Sequence, residues 1–281
     1  MDVSIALPNA VPGATGEELT EWAKRAEARG FASLGTIDRL VYPNYEPLVA
    51  LAAAAAVTER IGLCTSVLLA PLRANATVLA KQSLSLHALS GGRLTLGIGL
   101  GGREDDYEAA GIGLGNRGEE LEEMIARLKE VWEGDEIGPA TDSPPTLIVG
   151  GGVDASFERA ARHGAGWIAG GVPPETFAEM AGKVRAAWSD AGRDGEPHLM
   201  ALAYFSLGED AEASADAYLK DYYAWLGEDI SGFIAGSAAK DAEAVRQRLD
   251  AFGEAGCDEL IFCPSSSDPQ QVDLLAEAAG L

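Results

Sequence analysis

The sequence predicts an α/β fold of the (β/α)8 barrel type, built as a single domain over residues 1–281. Three observations carry this: eight short apolar runs rich in Val, Ile and Leu, longer stretches of helical period between them, and glycines where helix gives way to strand. Continuous rather than alternating apolar strands imply a sheet covered on both faces, and strands separated by helices imply parallel pairing by crossover. Eight such units in 281 residues favour closure into a barrel over an open doubly wound sheet, the other arrangement the pattern allows.

The apolar runs are residues 3–7, 32–37, 61–69, 94–98, 146–149, 166–169, 199–207 and 259–263. Between them, Leu19, Trp22, Ala23 and Ala26 share one helical face. Leu121, Met124, Ile125, Leu128, Val131 and Trp132 form a second stripe, and Phe177, Met180, Ala181, Val184 and Trp188 a third. Thr15 and Glu18 have the spacing of a capping box, while Asp268, Pro269 and Gln271 supply a cap, a first-turn proline and a reach-back amide. Gly30, Gly164 and Gly256 each close a helix ahead of a strand. Residues 134–145 read as a loop. The longest excursion is 210–237, between the seventh and eighth strands, and it holds Tyr218, Tyr222, Tyr223, Trp225 and Phe233.

With Lys+Arg 21 against Asp+Glu 44, the net charge is −23, and such a body repels phosphate backbones and anionic lipid surfaces. Nucleic acid and membrane are therefore not expected partners; a small-molecule substrate is. The 47% hydrophobic content excludes a disordered polyanion. No apolar run approaches the roughly 20 residues needed to cross a bilayer, and the first residues lack the basic start of an export signal. Cys64, Cys257 and Cys263 have no metal-like or redox-like spacing, so a reducing cytoplasmic location is expected.

In such a barrel, chemistry belongs at the carboxyl ends of the strands, and glycine is concentrated there. Gly97, Gly99 and Gly102 have the spacing of a dinucleotide fingerprint, but they follow the fourth strand rather than the first and run into Arg103, Glu104, Asp105 and Asp106 rather than a helix start. A tight barrel corner is the simpler reading. Gly150, Gly151 and Gly152 precede a helix, where bare amides can cradle a phosphate without basic side chains; a flexible turn fits the spacing equally well. None of the six lysines ends a strand, which disfavours Schiff-base chemistry. His87, His163 and His198 fall at structural positions, and no cluster suggests a metal site. The rim carboxylates are Asp38, Glu104, Asp105 and Asp106, by default solvated loop charge. So little acid, base or nucleophile points to a cofactor that carries its own reactivity.

Three segments, TERIGLCTSVLLAPLR, LSGGRLTLGIG and the later GGG with RAARHGAGWIAGG, resemble the bacterial luciferase-like oxidoreductases, and the resemblance covers nearly the whole chain. It implies a TIM barrel that binds FMN or coenzyme F420 at the strand ends, with hydride transfer or oxygen chemistry at the ring. It further implies a cis Ser66–Val67 bond bulging behind the ring, a phosphate near Gly150, Gly151 and Gly152 with Gly170 and Gly171 close by, and a ring or ribityl chain bordered by Gly99, Gly101 and Gly102. Many members carry His after the Asp that ends the second strand; here Asp38 is followed by Arg39, the pair expected to orient substrate. The glutamate of sugar-phosphate-oxidising members falls at Gly102 and an arginine of luciferases at Leu100, so neither activity carries over. Ser-Val at the bulge resembles the deazaflavin branch, a slight preference for F420 over FMN; Arg39, Arg73, Arg103 and Arg117 either offset charge that opposes an anionic tail or are plain surface residues. FMN-dependent monooxygenation, a flavin-binding protein without turnover and a redox-free barrel for a phosphorylated substrate are the alternatives. Relatives often dimerise beside the second and third strands, where the Ala-rich stretch 48–57 permits close packing, so a homodimer is expected.

Overall fold

The computed structural model describes residues 1–281, and strand and helix alternate through almost all of it. In chain order the first half runs β1 (Asp2–Ala6), α1 (Gly16–Arg29), β2 (Ser33–Thr36), α2 (Pro47–Ala55), β3 (Gly62–Thr65), β4 (Leu68–Leu69), α3 (Ala76–Leu89), β5 (Leu94–Gly99), α4 (Glu104–Ala110) and α5 (Arg117–Glu133). The second half runs β6 (Thr146–Gly150), α6 (Asp154–His163), β7 (Gly166–Ile168), α7 (Pro174–Asp190), β8 (His198–Phe205), α8 (Ala211–Tyr222), α9 (Glu228–Ser237), α10 (Ala242–Glu254), β9 (Glu259–Pro264) and α11 (Gln270–Ala279). No helix is long and apolar enough to cross a membrane.

All strand pairings are parallel, in the order β3-β2-β1-β9-β8-β7-β6-β5-β4, and a further pairing of β3 with β5 closes the ring. The expected (β/α)8 barrel is therefore present, with one difference: the third apolar run is two strands. Cys64 pairs with Thr95 and Leu68 with Ile98, so four steps along this stave oppose three on β5. One extra residue bulges out of the ladder. The cis Ser66–Val67 bond lies within that bulge, at the position the resemblance implies.

Side chains on the staves divide by the period of two. Ile5, Leu63, Val149, Trp167, Ala201 and Phe262 join the core between sheet and helices, whereas their neighbours Ala6, Cys64, Ile148, Ile168, Met200 and Cys263 fill the lumen. The outer layer is aromatic, with Trp167 packed on Phe157 of α6 and Phe177 of α7. The lumen cluster continues into Tyr218, Leu219 and Tyr222 of α8, so the excursion roofs the barrel.

The helix signals fare unequally. Thr15 and Glu18 form both arms of the capping box, and Gly30 and Gly256 have φ of +89° and +80°, the left-handed turn that glycine adopts freely. Gly164 also ends its helix but with φ −90°, an ordinary extended exit. Gln271 does not reach back to its own helix: its amide exchanges two hydrogen bonds with the backbone of Leu207, at 2.8 and 2.7 Å, pinning the loop after β8. The glycine-spaced segment after β5 also differs from expectation, because Glu104 does start a helix, where acidic residues in the first turn complement the helix dipole.

At the amino-terminal rim, Glu259 Oε1 accepts from the hydroxyls of Ser4 and Ser33, both at 2.6 Å, and Oε2 lies 3.2 Å from His198 Nε2. Burial pushes the Glu259 carboxyl up, but the bonds from His198, Ser33 and Ser4 outweigh it and leave it below its ordinary 4.5; the bond from Glu259 holds His198 above 6.5. The Glu259 contribution is complete above 4.5 and fades as pH falls through its lowered value. The His198 contribution is complete below 6.5 and fades as pH rises through its raised value. The stability lost in Glu259→Gln is therefore expected to be greatest between about pH 4.5 and 6.5 and smaller on both sides, read from melting temperatures across pH. An equal loss at every pH refutes the pairing.

Candidate active site

Asp38 and Arg39 leave the second stave side by side, yet they bind different neighbours. Asp38 Oδ2 accepts the N–H of Leu69 at 2.7 Å, directly after the bulge, and its carboxylate pairs with Arg73 at 2.9 Å. Burial pushes the Asp38 carboxyl upward against the opposing pull of Arg73 and the Leu69 amide. Arg73 also reaches Glu46, the N-cap of α2, at 3.1 Å. Arg39 Nε donates to Asp106 Oδ2 at 2.6 Å and Nη2 to Asp105 Oδ2 at 3.0 Å, while the other oxygen of Asp106 accepts the N–H groups of Leu40 and Val41. The Arg39 side chain is 3% exposed and that of Asp106 1%, so this is a buried pair and not solvated loop charge. Of the three Arg39 guanidinium nitrogens, Nη1 alone lacks a partner. Asn9, fully buried after β1, ties the same loop down: it exchanges hydrogen bonds with Ile37 and donates to the Tyr45 carbonyl.

The bulge shapes the glycines around it. A Cβ on Gly99 would stand 2.8 Å from Val67, and one on Gly150 2.9 Å, so the two glycines make the slot in which Val67 sits. Gly97 lies closer still, its notional Cβ 2.0 Å from the Thr65 carbonyl. The Ser66 hydroxyl donates to the Thr36 carbonyl at 3.1 Å. Gly101 has φ +69°, and its carbonyl accepts from Arg117 at 3.1 Å. The fingerprint spacing is thus met by barrel packing, the simpler of the two readings.

Beyond β6 the backbone is bare. Gly151 and Gly152 are exposed immediately before α6, with Gly151 at φ +147° and its carbonyl accepting from the Trp167 indole at 2.8 Å. A side chain on Gly152 would first meet the Met180 methyl at 3.5 Å, one on Gly170 nothing within 4 Å, and one on Gly171 the Tyr204 ring at 3.7 Å. Asp154, the one acid in the first turn of α6, turns onto Lys183 at 3.1 Å. Gly151 and Gly152 stand at a helix start, the chemistry that accepts a phosphate, and Gly170 and Gly171 leave the neighbouring stave to complete a glycine rim. Val67, half-buried, rises beside it.

Over this rim stand five of the seven tyrosines, a cluster for which the excursion's composition was the only signal. Tyr204 on β8 meets the hydroxyl of Tyr223 at 2.7 Å, and Tyr42 donates to Asp221 at 2.8 Å while its ring packs edge-on against Tyr222. Burial pushes the Tyr204, Tyr218 and Tyr223 hydroxyls above the ordinary phenol pKa, so these phenols stay protonated. Arg103 donates to the Tyr222 carbonyl and lies 4.6 Å over the Tyr222 ring and 5.1 Å over Trp225. The histidines stay outside: His87 is buried in the last turn of α3, His163 pairs with Glu122 at 2.8 Å, and His198 lies on the opposite rim. No group of His, Cys, Asp and Glu is placed to hold a metal ion.

A family model described as luciferase-like monooxygenase matches residues 1–260. An uncharacterized protein of Mycobacterium tuberculosis is 32% identical over 223 residues, covering 66% of this chain and 77% of that one. Among solved structures, the monooxygenase RslO1 from Streptomyces bottropensis superposes with a TM-score of 0.81 at 22% identity, covering 99% of this chain and 98% of that one. An F420-dependent secondary alcohol dehydrogenase in complex with an F420-acetone adduct superposes with a TM-score of 0.82 at 18% identity, with the same coverage.

Proposed function

The chain belongs to the luciferase-like monooxygenase family, and from that membership we propose an oxidoreductase that transfers hydride between coenzyme F420, in preference to FMN, and a small organic substrate. The observation that supports this most is the glycine rim of Gly151, Gly152, Gly170 and Gly171 beside the raised Val67: bare amides at a helix start next to an apolar step fit the anionic chain and flat face of such a cofactor. When bound, the ring supplies the hydride chemistry that no side chain of the mouth provides. Asp38 and Arg39 act as positioning residues, since one holds the strand after the bulge and the other holds the start of α4. The protonated tyrosines exclude water and offer hydroxyls as donors to a substrate oxygen.

Absorbance titration of the purified protein with F420 and, separately, with FMN tests the reading. Saturable F420 binding with turnover against a panel of alcohols and carbonyls supports it, FMN binding with oxygen consumption moves the assignment to monooxygenation, and no binding of either removes it. Gly152→Asp sets a carboxylate where the cofactor phosphate is placed without the strained φ of its neighbour, and like charge costs several kcal/mol. Affinity is expected to fall on the order of 100-fold. Unchanged affinity refutes the placement.

A further inference from the structure

The roof over the mouth is anchored unevenly. Its first helix, α8, buries Ala211, Ala215, Tyr218, Leu219 and Tyr222. The turn that follows, Ala224–Leu226, buries nothing, and α9 buries only Ser231 and Ala235 while Trp225 and Phe233 stand 51% and 67% exposed. What fastens this tip to the barrel is Arg103, on the loop after β5. Its guanidinium donates to the carbonyl of Tyr222 at the carboxyl end of α8, where unpaired carbonyls and the helix dipole favour a cation, and it lies against the Tyr222 and Trp225 rings. Arg39 and Arg73 are committed to carboxylates, whereas Arg103 binds a carbonyl and two rings. Beneath the tip lies Gly102, whose notional Cβ would stand 3.7 Å from Trp225. Gly227, at φ +89°, turns the chain into α9 in a conformation that leaves the tip a pivot.

We propose that Arg103 is the latch that holds residues 224–229 closed over the exit of β5, and that a ligand reaches the mouth when this latch releases. The tip separates without unpacking α8, because its own residues contribute nothing to the core. The gating consequence rests on the proposed function; the latch itself does not.

Hydrogen exchange of the ligand-free protein tests the latch. In Arg103→Ala, the amides of Leu226 and Gly227, which donate to the Tyr223 and Ala224 carbonyls, are expected to exchange at least tenfold faster while those of 211–219 keep their rates, and acrylamide quenching of the tryptophan fluorescence rises. Arg117→Ala, on the same rim but bound to the Gly101 carbonyl, leaves the tip unchanged. Trp225→Ala removes the other half of the clasp and speeds exchange at Leu226 and Gly227 to a similar degree. Equal exchange in wild type and both tip variants overturns the latch. In stopped-flow mixing with F420 or FMN, Arg103→Ala is expected to associate faster than wild type; faster exchange with an unchanged association rate overturns the gating. If neither ring binds either protein, the functional reading falls, and exchange alone decides whether the latch exists.

Discussion

Gly97→Ala is expected to prevent folding or to lower stability by about 4 kcal/mol or more, because the added methyl would stand 2.0 Å from the Thr65 carbonyl. Backbone, not a flexible side chain, occupies that space, so the clash is relieved only by parting the two staves. Gly97 and Thr65 also share a hydrogen bond, Thr65 Oγ1 to the Gly97 carbonyl at 2.7 Å, so separation removes an interaction as well as a contact. Soluble yield and thermal unfolding measure the effect. Gly182→Ala is the contrast: it lies exposed inside α7 with nothing within 4 Å of its notional Cβ, and there the change is expected to stabilise by about 0.5–1 kcal/mol. A tolerated Gly97→Ala would show that the third and fourth staves are not packed as described.

Arg39→Ala is expected to cost about 3–5 kcal/mol, since it leaves the Asp106 carboxylate buried without its cation. In a chain of this size that corresponds to a fall in melting temperature on the order of 10 °C. Removing both partners, in Arg39→Ala with Asp106→Ala, recovers part of the loss because no uncompensated charge remains. If Arg39 met the substrate instead of holding the rim, melting would hardly change while turnover fell. The unfolding curves of the single and double variants separate the two roles.

Much of the barrel was legible because each stave is a run of apolar residues buried on both faces, and burial on both faces leaves a continuous signature. The break in the third stave was harder to see: Thr65 and Ser66 interrupt the apolar run 61–69 at the bulge, but two small polar residues carry no register, so hydropathy does not say that the ladder slips by one residue there. Only the resemblance marked the place. Of the expected site residues, Gly151, Gly152, Gly170 and Gly171 do gather on one rim, whereas Gly99 and Gly150 are small because Val67 needs their space. The acidic stretch after β5 was misleading because Glu104, Asp105 and Asp106 look alike in sequence. Only the fold turns one of them inward, to an arginine 67 positions away. The Arg103 clasp was invisible for the same reason, since its partners Tyr222 and Trp225 come from a distant segment.

The pairing of β3 with β5 leaves this sheet without a free margin, so a folded molecule offers no strand on which another chain can template. That protection is lost at one seam first if the ring is breached there. Residues 62–65 and 94–99, rich in Leu, Ile and Thr, would then face solvent as two sticky selvedges. Heat- or mutation-induced precipitates of this protein should therefore be cross-linked through those segments, and charged substitutions flanking them are the natural means of keeping the unfolded chain dispersed.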